Sequence, residues 1–138
     1  MKPLIAAAVL FAFAGAASAQ EVRVTLSGVE ARPGQILASL QTERQFMQPA
    51  GAYGQVAQPV AGTVTIVFPD VAPGSYSLAV MHDENRDLQM QRESDGRPKE
   101  GWAMVNGASL RGAPTFAQVK FDVGATPVHL TEAMIYPR

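Results

Sequence analysis

The stretch from Phe68 to Asp87 limits the fold more than any other. It reads Phe-Pro-Asp-Val-Ala-Pro-Gly-Ser-Tyr-Ser-Leu-Ala-Val-Met-His-Asp-Glu-Asn-Arg-Asp. Two apolar runs flank Ala72-Pro73-Gly74, where proline presets a turn-ready φ and glycine supplies the positive φ of the second corner. In the second run Tyr76, Leu78, Val80 and His82 share one parity, the period of a half-buried strand. The pattern predicts a β-hairpin from Phe68 to His82 that opens into an acidic loop holding Asp83, Glu84 and Asp87.

The remainder is written in the same units. Val22, Val24 and Leu26 alternate with polar residues up to Ser27-Gly28, and Ile36, Ala38 and Leu40 alternate after Arg32-Pro33-Gly34. Thr42 to Phe46 suits one helical turn, while Pro49, Gly51, Gly54 and Pro59 place the rest of 41–60 in loops. Thr63 to Phe68 is apolar and β-branched on both parities, which predicts a strand buried on both faces. Asp83 to Gly101 is a polar run, and Trp102 to Leu110 lacks a clear period. Val119, Phe121 and Val123 alternate, and Val128 to Ile135 forms a last strand. Strands at this spacing predict an all-β fold, an antiparallel β-sandwich of about seven strands, with a small barrel as the alternative.

The start of the chain is a targeting pattern. Lys2 is followed by the apolar run Leu4 to Phe13 and by Ala17-Ser18-Ala19, a small-residue cleavage site. That run is too short for a transmembrane helix, which takes about 20 apolar residues. Residues 1–19 are therefore expected to be a cleaved signal peptide and 20–138 a single domain, exported to the periplasm or beyond. The chain has no cysteine, so neither disulfides nor a lipid on a first mature cysteine are available. The formal charge is −1 with no basic cluster, which argues against nucleic acid, and no second apolar segment points to membrane insertion of the mature chain.

Several segments together resemble a known family. The run from Phe68 to Asn85 is followed by Gly96-Arg97-Pro98-Lys99-Glu100-Gly101-Trp102, similar to a Gly-x-Pro-x-Glu-Gly-aromatic segment. Gly112-Ala113-Pro114-Thr115-Phe116 and then Val119 to Val123 resemble a Gly-Pro-Pro-x-Phe stretch with its following strand. The combination resembles DUF2141, small exported bacterial proteins of unknown function. The resemblance implies an immunoglobulin-like or prealbumin-like sandwich and no activity. Members commonly continue the His-Asp-x-Asn loop with Gly-Asn-Gly-Lys-Leu-Asp. Here the glycine expected at position 88 is Leu88, and the acid expected at 91 is Gln91.

The candidate site residues cluster between His82 and Asn106. Asp83-x-Asn85-x-Asp87 begins a calcium-loop pattern, since alternate residues on a bent backbone turn their oxygens inward. Its bend glycine is replaced by Leu88, and Ser94 stands at the twelfth position beside Glu93; the plain reading is a solvated loop of Asx turns. The sequence therefore calls for no cofactor, with calcium on Asp83, Asn85 and Asp87 as the alternative for this loop. His82 is either a ligand contact beside Asp83 or a buried strand-end histidine. Trp102, next to Glu100, either stacks on a ligand or closes one end of the core. Asn106 ends the segment.

No nucleophile elbow, cysteine nucleophile, phosphate loop or zinc helix motif is present. The sequence therefore predicts a non-catalytic binding or interaction module whose recognition surface is His82 to Asn106: His82, Asp83, Asn85, Asp87, Glu100, Trp102 and Asn106. Its partner is a small molecule, glycan or protein. Two alternatives stand beside it: a metal-dependent or hydrolytic enzyme using His82, Asp83 and Glu100, and a purely structural envelope protein.

Overall fold

A computed structural model of the chain describes residues 18–138. The expected leader lies outside the described residues except for Ser18 and Ala19, which precede the first strand. Eight strands follow: β1 (Gln20–Val29), β2 (Gln35–Gln41), β3 (Tyr53–Ala57), β4 (Gly62–Val71), β5 (Gly74–Asp83), β6 (Trp102–Ala103), β7 (Lys120–Val123) and β8 (Val128–Ala133). They form two sheets, one in the order β4-β1-β8 and the other β3-β2-β5. The outer edge of β5 is shared, β7 pairing along its first half and β6 along its second. Every pairing is antiparallel except β1 with β8, which run parallel. The all-β sandwich expected from the sequence is present.

The core lies between the sheets. β1 contributes Val22, Val24 and Leu26, and β4 contributes Val64, Ile66 and Phe68. Facing them are Ile36, Ala38 and Leu40 of β2 and Tyr76, Leu78 and Val80 of β5. A fully buried Val, Leu, Ile or Phe contributes roughly 1.5–3 kcal/mol, so this core holds a chain without disulfides. Among the described residues, no helix is long and apolar enough to cross a membrane.

Three local expectations are corrected. β4 is buried on one face only: Thr63 and Thr65 are exposed while Val64 and Ile66 are buried, because its sheet packs on the other sheet with one face. β3 falls where loops were expected; it is an edge strand that pairs with β2 from Ile36↔Ala57 to Leu40↔Tyr53. The stretch from Phe68 to His82 is not a hairpin. β4 pairs with β1 and β5 with β2, so Ala72-Pro73 is a corner carrying the chain from one sheet to the other. Gly74 has φ +158°, far from the value near +80° of a type II corner. The corner is closed by tyrosines instead: Tyr76 Oη donates to Ala72 O (2.7 Å), and Tyr53 Oη accepts from Ala72 N (3.0 Å). This corner and the end of β5 at Asp83 lie at opposite poles of the sandwich, and the candidate residues gather at the second.

Candidate functional site

His82 and Asp83 are the last residues of β5, held in register by Ile36 and Gln35 of β2. Alternation turns them to opposite sides, and both are fully buried. His82 points inward. Its Nε2 lies 3.1 Å from Pro33 O, which can only accept, so Nε2 carries the proton. Nδ1 then accepts from Tyr136 Oη at 2.8 Å, and the same hydroxyl accepts from Glu30 N at 3.0 Å. Both ring nitrogens are occupied within the fold. Of the two readings of His82, this is the geometry of the buried strand-end histidine, with both ring nitrogens bonded inside the fold.

Asp83 faces the loop and organises it. Its Oδ1 accepts from Asp87 N (3.2 Å), and Oδ2 accepts from Leu88 N (3.1 Å) and Gln35 Nε2 (3.3 Å). The chain wraps round this carboxylate so tightly that Arg86 and Leu88 take φ of +59° and +62°. Gly34 presses on the same backbone from the β1–β2 turn, where a Cβ would lie 2.0 Å from Asp83 O. Asp87, exposed at the mouth, accepts from Gln89 N (3.0 Å), Asn85 Nδ2 (3.2 Å) and Gln91 Nε2. These donors, the Gln89 amide first, hold its carboxyl below the ordinary aspartate value.

Glu100 returns from the far end of the segment, just before β6. It is 4% exposed, and its Oε2 is enclosed without any hydrogen-bond partner. One carboxylate oxygen from each of Asp83, Asp87 and Glu100 lies within 4.8 Å of the others. Two unit charges at that distance repel by roughly 3.5 kcal/mol at an effective dielectric constant of about 20. Among the described residues no basic side chain forms an ion pair with any of the three. The ion pairs among the described residues are Arg23–Glu21, Arg32 with Glu30 and Glu84, Arg97–Asp95 and Lys120–Asp122. Burial pushes the Glu100 carboxyl up, and the charges of Asp83 and Asp87 push the same way.

The expected calcium set was Asp83, Asn85 and Asp87, whereas the third carboxylate in the group is Glu100. Asn85 serves the loop itself, its Oδ1 accepting from Asp87 N at 3.3 Å. Trp102 and Asn106 line separate hollows. Trp102, half-buried, borders a groove of about 280 Å³ with Glu93, Arg97, Pro98, Ile135 and Arg138. Asn106 borders another of about 360 Å³ beside Ser109, Arg111 and Gln118, and its Nδ2 donates to Gln118 O (3.2 Å).

Sequence reasoning overlooked Tyr136, and the part Gly101 plays in admitting it. A Cβ at Gly101 would sit 2.4 Å from the Tyr136 ring, so the glycine lets that ring reach His82. The Arg32 guanidinium lies 4.6 Å over the other partner of this contact, the Tyr136 ring centre. The one available signal was an aromatic residue just past the last alternating strand.

The model of one family, described as an uncharacterized protein conserved in bacteria (DUF2141), matches residues 24–131. The chain belongs to the DUF2141 family. No curated protein and no solved structure matches it. The DUF2141 match contains Asp83, Asp87 and Glu100 and stops before Tyr136, which supports the histidine behind them.

Proposed function

We propose that this DUF2141 protein is an exported, non-catalytic binding module whose recognition surface is the segment between β5 and β6 together with the Trp102 groove. The observation that carries this reading is the sole tryptophan, half-buried and bordering a groove with Arg97 and Arg138 on its rim and Glu93 opposite in charge. An indole with one accessible side offers a large rigid surface to a sugar ring or an aromatic side chain, and the charged rim adds orientation. The groove is held from both sheets: Trp102 N donates to Ile135 O (2.9 Å), and Ile135 N donates to Trp102 O (2.8 Å). The engagement of both His82 nitrogens supports a non-catalytic reading over a hydrolase, because it leaves Asp83 and Glu100 without that histidine as proton carrier.

The test is a titration of tryptophan fluorescence with neutral and anionic oligosaccharides and with envelope peptides, repeated by calorimetry. Saturable quenching is expected for one class, lost in Trp102→Ala and weakened in Arg97→Ala while the far-ultraviolet spectrum is kept. Binding that survives Trp102→Ala unchanged refutes the groove as the surface. Silence across all classes favours a purely structural envelope role.

A further inference from the structure

We propose that Asp83, Asp87 and Glu100 together hold a hard divalent cation of calcium's class, which ties the two ends of the β5–β6 segment to each other. The inference is independent of what occupies the Trp102 groove. It starts from two separate observations. The first is the convergence of three carboxylates, one oxygen of each within 4.8 Å of the others. The second is Glu100 Oε2, an enclosed acceptor with no hydrogen-bond partner among the described residues. Buried polar atoms are almost always satisfied, and an orphan in a native fold calls for an explanation. A cation bound between the carboxylates explains it.

The donor chemistry selects the class of ion. The group offers oxygen only, with neither thiolate nor free imidazole, since His82 faces away and both its nitrogens are engaged. Oxygen donors suit calcium and magnesium rather than zinc or copper. Oxygens within 4.8 Å of one another fit a sphere with metal–oxygen distances of about 2.3–2.6 Å, and calcium tolerates the irregular shell that a loop and solvent complete. Asp83 and Asp87 are already oriented by donors from Leu88 and Gln89, so two ligands are in place beforehand. Among the described residues no basic side chain pairs with the three carboxylates, and the nearby Arg86 guanidinium turns to Gly34 O (3.1 Å) and Gln35 Oε1 (3.4 Å). The arrangement also differs from a contiguous calcium loop. Its third carboxylate comes from beyond the 92–98 bridge, so one ion fixes both the departure and the return of the segment.

The experiment is calorimetric titration of the chelator-treated protein with calcium, magnesium and zinc chlorides at constant ionic strength, with terbium luminescence sensitised by Trp102 as a second readout. One calcium per chain is expected, with Kd of about 0.1–1 mM, the range of extracellular modules, and weaker magnesium binding. Glu100→Gln and Asp83→Asn should each weaken calcium binding by about tenfold or more, and Asn85→Ala by less than about threefold. Glu100→Gln should melt at or above the metal-free wild type, which separates loss of a ligand from loss of the fold. Terbium bound near Trp102 and displaced by calcium supports the site. Wild-type calcium affinity in Glu100→Gln, or no calcium binding up to about ten times that Kd range, overturns it and leaves a shared proton as the occupant. Either negative result leaves the Trp102 groove reading untouched, since that reading is tested without metal.

Discussion

Tyr136 donates its hydroxyl proton to Nδ1 of the buried His82 across 2.8 Å, and the same oxygen receives the Glu30 amide at 3.0 Å. A residue beyond the last strand thus satisfies the buried imidazole at the end of β5 and the partly buried amide just past β1. Tyr136→Phe strips both at once while preserving the ring that packs on Gly101. A buried group left unpaired costs about 1–3 kcal/mol and the partly buried amide less, so a loss of roughly 2–4 kcal/mol is expected in urea unfolding. A variant within about 0.5 kcal/mol of wild type would show that water replaces the hydroxyl without penalty.

Gly34 is expected to be the most intolerant of the described glycines. Its φ is +97°, and a Cβ would meet Asp83 O at 2.0 Å and Glu84 Cα at 2.6 Å, both backbone atoms. Strain in φ and forced displacement each cost about 1–3 kcal/mol, and here they act together. Gly112 supplies the control: its φ is +116°, yet nothing lies within 4 Å of its Cβ position. Gly34→Ala should therefore destabilise well beyond Gly112→Ala in the same denaturant series. Equal losses from the two would reduce the Gly34 effect to φ strain alone.

The alternating faces of β1, β2 and β5 were legible because each is covered on one side, and burial on one side is what a period of two records. β3 was not, since Gly54 and Pro59 around an edge strand carry the chemistry of a loop. The corner at Ala72-Pro73 was misread for a different reason. Proline and glycine announce a change of direction, but whether the next strand pairs with the last or crosses to the other sheet depends on partners distant in sequence. The same distance explains the site. Asp83 and Asp87 are four residues apart and could be grouped by spacing, whereas Glu100 joins them only because Arg92 and Pro98 fold the segment back on itself.

Leu88 occupies the left-handed conformation that the family resemblance assigns to glycine. At φ +62° and 68% exposed, it carries strain without burying its side chain. A non-glycine residue in this region costs about 1–2 kcal/mol, and glycine gives back roughly 0.5–1 kcal/mol in chain entropy. Leu88→Gly is expected to stabilise the fold by about 0.5–1 kcal/mol, read as a rise in Tm. Arg86→Gly should not, although its φ is +59°, because its guanidinium binds Gly34 O. A drop in Tm for Leu88→Gly would mean that the leucine packs on the loop after all.

Glu132 on β8 introduces a pH dependence remote from the three carboxylates. Burial holds its carboxyl above the ordinary glutamate value of 4.5, against a weaker backbone hydrogen bond from Asn106. Between that value and the raised one the folded state binds more protons than the unfolded state. Stability is therefore lost as pH rises through the window, by linkage. Glu132→Gln should remove that part of the slope, measured as the difference between variant and wild type from about pH 4 to pH 7, in which the contribution of Glu100 cancels. Identical slopes would place Glu132 in solvent in both states.

The parallel pairing of β1 with β8 decides how this molecule can be handled and displayed. Because Val22 lies beside Val128 and Ser27 beside Ala133, the first strand starts, like the last, at the pole of the Ala72-Pro73 corner. The final residues then run on to the acidic pole, where Pro137 and Arg138 border the Trp102 groove. A tag or surface anchor attached ahead of Gln20 leaves the Trp102 groove uncovered, whereas the same attachment after Arg138 stands beside it.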